Sequence, residues 1–459
     1  MTKSIFVNNP KIALLGVGLA GFIGCIDFTI VTTALPAIQK ELSVDVATLQ
    51  WVMNIFSLAL TSTMVIMAQI AEKYGKKLIL TFGLIGFALA SVFAGISANI
   101  NQLIFWRLMQ GIACSILYTA SGSITANLFP LDKRSHAMGI FFAIAFSGLA
   151  LGPVIGGFIV SLFGWRWVFL ISAPVAVISL ILMISNVPNQ AQSEHHSNAK
   201  IDYFGGTLLM IVTASIITAT TQANYWGWFS DKIITLFGAF VVFSIIFIFV
   251  EYKSSNPIMK FNLFTNHDFV SSIIANTFLA AFYSSAFFLM PLYLHHSLKE
   301  SSSTIGLMLL PATLMIPLVS IATGKFVNKF GARLPLIIGF TLFMISAVIQ
   351  SQLTQFSSEI VILTSFTAIG IGWGLMVSPS TLLAIASTDK SQESSAIGTC
   401  WTFHNLGGSL GLSISTAIFN HQVLKYNQAF LPGYHAAMVF LAVCSGVAAI
   451  WLYYPKRII

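Results

Sequence analysis

The sequence is poor in charge. Asp, Glu, Lys and Arg make up 8% of its 459 residues, while hydrophobic residues make up 56%. A soluble domain carries roughly 25% charge, so a soluble fold of this size is excluded and the membrane is the solvent. Cysteine is also scarce. Cys25, Cys114, Cys400 and Cys444 each stand alone in an apolar run, none in a Cys-x-x-Cys pair or beside a histidine. That spacing argues against disulfides and a zinc site, and the four read as small buried hydrophobes. His195–His196 and His295–His296 lack carboxylate or cysteine partners at metal spacing, so both pairs read as surface histidines. No phosphate-binding loop, His-Glu-x-x-His or Gly-x-Ser-x-Gly occurs, so nothing supports an ATPase or a hydrolase. The expectation is a non-enzyme without metal or cofactor. The net charge of +8 is scattered, with no basic run long enough to hold nucleic acid.

What the chain does have is long apolar stretches. About 20 such residues span a bilayer as helix. Reading along the sequence gives fourteen spans, from 12–35 through 101–128, 137–160, 268–293 and 395–420 to 434–454. The first keeps its place as a span, because Lys3 and Lys11 precede it but no convincing cleavage site follows. An even count puts both ends on one side. Sixteen Lys and Arg residues fall on that side, among them Lys73, Lys76, Lys77, Lys325, Lys329 and Arg333. Five fall on the other: Lys40, Arg166, Lys232, Lys299 and Lys425. Basic residues stay inside, so both termini are expected in the cytoplasm. Trp165, Trp167, Trp226 and Trp228 lie near predicted outer boundaries, where aromatic belts form.

One loop repeats. AQIAEKYGKKLIL after span 2 and GKFVNKFGARLPL after span 10 align Lys73, Gly75 and Lys77 with Lys329, Gly331 and Arg333. A glycine permits a tight turn, and the basic residues hold it at the cytoplasmic surface. Repeated halves that rock about a central site are how many carriers alternate access. The expected architecture is all-α and membrane-integral, with two six-helix bundles and two extra helices between them. Residues 1–188 form the first bundle, 189–266 a linker with the extra pair, and 267–459 the second bundle. The segment 186–200 is polar and reads as a flexible joint.

Asp27 is the only acidic residue clearly interior to a span. A charge at that depth costs at least a few kcal/mol and is usually functional. At 1.5 Å per residue it lies about 12 Å below the outer boundary, and Arg107 of span 4 about 9 Å below it. Opposite charges at similar depth suggest a pair. Burial favours the neutral carboxyl and the arginine favours the carboxylate. A balance that changes as the site opens to either side is what a proton-coupled carrier needs, although a static ion pair locking two helices is the plainer alternative.

Other residues suit a lipophilic cargo. Gln110 shares the Arg107 face of span 4, and Tyr118 lies further along it. Span 9 is aromatic, with Phe278, Phe282 and Tyr283 prominent, and aromatic walls suit flat apolar ligands. His404 is a lone histidine within span 13. These six are the candidate substrate-binding residues, with lipid-facing or core packing as the alternative for each. Span 5 carries SGLALGPVIGG, in which Gly148, Gly152 and Gly156 make one smooth face, Gly157 widens it and Pro153 bends it.

These motifs together resemble the fourteen-span drug:proton antiporters of the major facilitator superfamily, the EmrB/QacA-like group. The resemblance runs over essentially the whole chain: DFTIVTTALP, AEKYGKK, RLMQG, SGLALGPVIGG, GWRWVFLISAP and GLMLLPATLMIP. It implies alternating access and proton-driven export of small lipophiles across the cytoplasmic (inner) membrane. It assigns proton coupling to Asp27 and Arg107. It makes the loop with Glu72, Lys73, Gly75 and Lys77 a conformational latch, repeated by Lys329, Gly331 and Arg333. It makes Gly148, Gly152, Pro153, Gly156 and Gly157 a leak-preventing seam. The partners implied are protons, a small lipophilic substrate and membrane lipid. It allows, without requiring, a periplasmic adaptor and an outer-membrane channel. The chain departs from the group's pattern at Ala68, Glu72 and His404, where glycine, aspartate and arginine are usual. Its second half lacks an interior acid, which favours neutral, anionic or monocationic cargo. A dedicated exporter of one metabolite, such as a siderophore or organic acid, and a membrane receptor or scaffold without turnover are the competing functions.

Overall fold

The computed structural model describes residues 9–129, 134–188, 202–254, 257–259, 261–386, 388 and 393–453. Most of the expected flexible joint therefore lies outside the described residues. Helices α1 (Pro10–Leu42), α2 (Val46–Tyr74), α3 (Lys76–Gly95), α4 (Ile100–Leu128) and α5 (Arg134–Phe163) come first. A short α6 (Arg166–Leu170) and α7 (Ser172–Asn186) together make the sixth crossing. The extra pair is α8 (Tyr203–Trp226) and α9 (Asp231–Lys253). Then follow α10 (His267–His296), α11 (Ser302–Phe330), α12 (Arg333–Gln350), α13 (Glu359–Ala386), α14 (Glu393–Lys425) and α15 (Phe430–Tyr453). No strand occurs among the described residues.

Thirteen of these crossings are long and apolar enough to span a bilayer by composition. The fourteenth, α14, is as long but too rich in hydroxyl, amide and glycine residues to count with them. Polar caps start the helices and satisfy backbone donors that would otherwise be orphaned. Asn9 accepts from Lys11 N–H at 3.1 Å, Asp45 from Thr48 N–H at 2.9 Å, and Asn99 from Gln102 N–H at 3.0 Å.

Packing follows one pattern twice. α1 packs on α5, α2 on α4, and α3 on α4 and α7. In the later part α10 packs on α14, α11 on α13, and α12 on α13 and α15. The two sets meet where α5 lies on α11 and where α2 lies on α14. α8 sits beside that second seam, in contact with both α2 and α14, and α9 packs behind α8. The outer surface of α9 is apolar and open, with Val242, Ile245 and Phe249 exposed, as suits a face against lipid tails.

Candidate functional site

Asp27 on α1 and Arg107 on α4 meet in the interior, both fully buried. Arg107 Nη1 donates to Asp27 Oδ2 at 2.5 Å and to Gln110 Oε1 at 3.0 Å. Its Nε donates to the Val52 carbonyl of α2 at 2.9 Å. Gln110 Nε2 extends the chain to Ser91 Oγ of α3 at 2.8 Å. Aromatic rings complete the enclosure: the guanidinium lies 4.2 Å from the Phe56 centroid and 5.8 Å from that of Phe169. One network thus binds α1 through α4. It is not saturated. Asp27 Oδ1 and Arg107 Nη2 are buried without a hydrogen-bond partner. Oδ1 is therefore a free acceptor to which a proton can add without first breaking the ion pair.

A cavity of about 260 Å³ lies beside this network. Cys25 and Phe28, which flank Asp27 on α1, line it. So do Tyr118 of α4, Tyr283 of α10, Trp373 of α13, and Trp401 and His404 of α14. The wall is a linked set of rings. Tyr283 stacks on Trp373 at 4.1 Å and meets Phe28 edge-on at 5.4 Å, across the seam between the two helix sets. Its hydroxyl and His404 Nε2 are hydrogen-bonded at 3.2 Å. The cavity runs from mid-membrane toward the face from which α1 enters. The opposite face is closed, with Ser303 N–H on Ser161 Oγ at 3.0 Å and His296 Nε2 on Gln39 Oε1 at 3.0 Å. No cluster of three or more metal-ligating side chains occurs among the described residues.

The profile of the Major Facilitator Superfamily matches residues 17–412, and again 272–457. The chain belongs to this superfamily. Multidrug resistance protein 3 of Bacillus subtilis (strain 168) is 30% identical over 432 residues, covering 92% of this chain and 82% of that protein. The riboflavin transporter RibZ of Clostridioides difficile (strain 630) is 27% identical, covering 91% and 90%. A bacterial homologue of the human lysosomal transporter Spinster, solved in an inward-facing conformation, matches with a TM-score of 0.68 at 17% identity. That likeness covers 98% of this chain and 97% of the other, and it shows the fold.

Within this major facilitator fold the residues singled out from sequence fall into separate places. Tyr118, Tyr283 and His404 line the cavity. Gln110 belongs to the ion-pair network instead. Phe278 and Phe282 do not line the cavity: Phe282 stacks on Phe343 at 4.1 Å inside the second helix set, and Phe278 packs against that core. The span-5 glycines divide between two faces. A β-carbon on Gly148 would lie 2.7 Å from the Phe22 carbonyl, and one on Gly156 2.5 Å from Thr33 Oγ1, both on α1. One on Gly152 would collide with Thr29. Gly157 does not widen this face, as the sequence suggested. It points at α11, where a β-carbon would collide with the Ser302 carbonyl and lie 3.1 Å from Gly306 Cα. Proline explains part of the first contact. Pro153 lacks an N–H for the Leu149 carbonyl, and Thr29 Oγ1 donates to that carbonyl at 3.3 Å.

The repeated loop forms the same turn twice but different contacts. Gly75 has φ +103° and Gly331 φ +76°, with open space around both, so glycine serves conformation there rather than packing. Lys77 Nζ donates to the carbonyls of Ile184 at 2.9 Å and Val187 at 2.5 Å, closing the end of α7. Arg333 instead pairs with Asp268 Oδ1 at 2.6 Å and contacts His267 Nδ1 at 2.9 Å, at the start of α10. Lys73 and Lys329 lie over the neighbouring Tyr74 and Phe330 rings. Glu72 is exposed and joins no ion pair among the described residues.

Two sequence readings need correction. Trp165, at the end of its span, faces inward rather than toward lipid: it is 2% exposed, and its Nε1 donates to Glu41 at 2.8 Å. His296 is half-buried between Gln39 and a stacked Phe430 rather than a surface histidine. Sequence reasoning missed Trp373 and Trp401. The available signal was their depth: tryptophans favour the membrane boundaries, and these two lie well inside their helices.

Proposed function

We propose that the protein exports small lipophilic molecules across the cytoplasmic membrane in exchange for protons, by alternating access. The supporting observation is the junction at α1. Asp27 has a free carboxyl oxygen in the ion pair, and its near neighbours Cys25 and Phe28 line the aromatic cavity. A proton arriving at Oδ1 weakens the bond to Arg107 and releases α1 to move relative to α4. Cargo in the cavity presses on the same stretch of α1. Proton and cargo can thereby compete through one helix without sharing a site. The cavity wall offers stacking surface, hydroxyls and one imidazole, and no carboxylate, which suits neutral, anionic or monocationic aromatic compounds over dications. Measurable export of bis-quaternary compounds contradicts that preference.

In this proposal both termini are cytoplasmic, so the cavity faces the cytoplasm. Residues 1–188 and 267–459 act as the two rocking units, and 189–266 carries the extra pair. The latch is the Lys77 and Arg333 ends of the repeated turns, and the seam is the glycine face of α5. The protein acts as a carrier and not an enzyme. A periplasmic adaptor or outer-membrane channel is not required by the proposal.

The test is substrate-induced proton release from purified protein. Wild type should release protons on adding a lipophilic substrate, and Asp27→Asn should not. Equal release from both would remove Asp27 from the coupling role. The relative named as a riboflavin transporter favours a second reading, a carrier dedicated to one flat metabolite. Cross-competition separates the two: a dedicated carrier is displaced by one compound class only.

A further inference from the structure

A second pair of acidic side chains meets far from Asp27. Asp202 precedes α8 and caps it, accepting from Gly205 N–H at 2.7 Å through Oδ1. Glu251 lies in the last turn of α9 and is 2% exposed. Its Oε2 accepts from Met259 N–H at 2.9 Å. The remaining oxygens, Asp202 Oδ2 and Glu251 Oε1, are both buried and have no hydrogen-bond donor among the described residues. They flank one point. A β-carbon on Gly205 would lie 2.7 Å from Asp202 Oδ2 and against Glu251 Oε1. Two acceptor oxygens thus face each other where no donor reaches among the described residues.

Among the described residues the surroundings give no compensating charge. Phe247 and Met259 are buried in the apolar cluster at this end of α8 and α9, with Val250 and Ile258 packed against it. On α2, Glu72 is exposed and Lys73 lies over Tyr74; on α9, Lys253 lies over Phe249. Among the described residues no Lys, Arg or His forms an ion pair with either carboxyl. Two carboxylates cannot both stay charged at such close quarters without a large penalty, and the usual remedy is one shared proton.

We propose that Asp202 and Glu251 form a proton-binding carboxyl pair, a site distinct from Asp27–Arg107. One proton bridges Oδ2 and Oε1, so that one group is the donor the other lacks. The site ties three parts together. Asp202 N–H donates to Gln69 Oε1 of α2 at 3.0 Å, and Glu251 holds the segment that leads into α10. Loss of the proton leaves two facing negative charges and loosens α8 and α9 from both neighbours.

Infrared spectroscopy of the purified full-length protein across neutral pH tests this without any substrate. Wild type should show a protonated-carboxyl stretching band. In the Asp27→Asn background, which removes the carboxyl of the other site, the band should persist, and it should be lost on adding Glu251→Gln and also on adding Asp202→Asn, which keeps the helix cap. Loss of the band only when both added substitutions are combined, its loss in one variant alone, its survival in both, or its absence from the Asp27→Asn background at neutral pH would each overturn the shared proton.

Discussion

Gly157→Ala should drive the protein out of the conformation seen here. The added methyl meets the Ser302 carbonyl and lies 3.1 Å from Gly306 Cα. Both neighbours are backbone, so no side chain can rotate aside. Overpacking of this kind costs about 1–3 kcal/mol. The contact exists only where α5 touches α11, so the penalty falls on the state in which that face is closed. A coupling of that size changes a population ratio by about 5- to 150-fold. Spin labels at Leu162 and Phe356, exposed on opposite sides of the closed face, report the change as a distance distribution by pulsed electron resonance. The four native cysteines are replaced first. Gly157→Ala should gain a longer-distance component. Gly122→Ala, where nothing lies within 4 Å, should not. Gly152→Ala presses on Thr29 of α1 and should lower thermal stability without moving the labels. Identical distributions for Gly157→Ala and wild type would refute the assignment of this glycine to the moving seam.

Two further outcomes follow from the site geometry. Lys77→Met removes the donors to Ile184 and Val187 and should lower stability by about 1 kcal/mol per bond, with Lys77→Arg close to wild type; equal thermal midpoints for Met and wild type would exclude the bridge to α7. Trp373→Ala removes the face on which Tyr283 stacks and should weaken binding of a fluorescent lipophile about fivefold, matching roughly 1 kcal/mol for an aromatic pair. Phe282→Ala, off the cavity, should keep its affinity and lose stability, and the reverse pattern would move the binding site into the second helix set.

The fold was legible because the membrane imposes a length on every crossing. Hydropathy marks thirteen of the fourteen crossings outright and α14 more weakly, and counting residues from a boundary puts Asp27 and Arg107 at one depth. What counting does not give is azimuth and partner. Gly156 and Gly157 are neighbours in sequence but turn about 100° apart on a helix of 3.6 residues per turn, so one meets α1 and the other α11. Aromatic density pointed to span 9 but not to which of its rings faces inward; Tyr283 lines the cavity and Phe282 does not. Trp165 reads as a boundary residue until Glu41, distant in sequence, supplies its acceptor. Glu251 falls at a helix end, where acids are ordinary. Only the approach of Asp202 makes it unusual, and that approach depends on how α8 and α9 pack.

The polarity of α14 bears on how the protein is made. Thr402, Ser413 and Thr416 donate back to their own helix, Ser415 reaches Ser285 of α10 at 3.0 Å, and Ser413 accepts from Asn54 of α2 at 2.9 Å. A segment that leaves the translocon with this many polar side chains gains little from lipid alone. It gains more from earlier helices whose hydroxyls and amides are already waiting. Twelve of the other thirteen crossings precede it, including α2, α8, α10 and α13, against which it packs. Biogenesis is therefore ordered by the polar side chains of the helix that brings Trp401 and His404 to the cavity: that wall is completed late, by a helix that its predecessors hold in the bilayer.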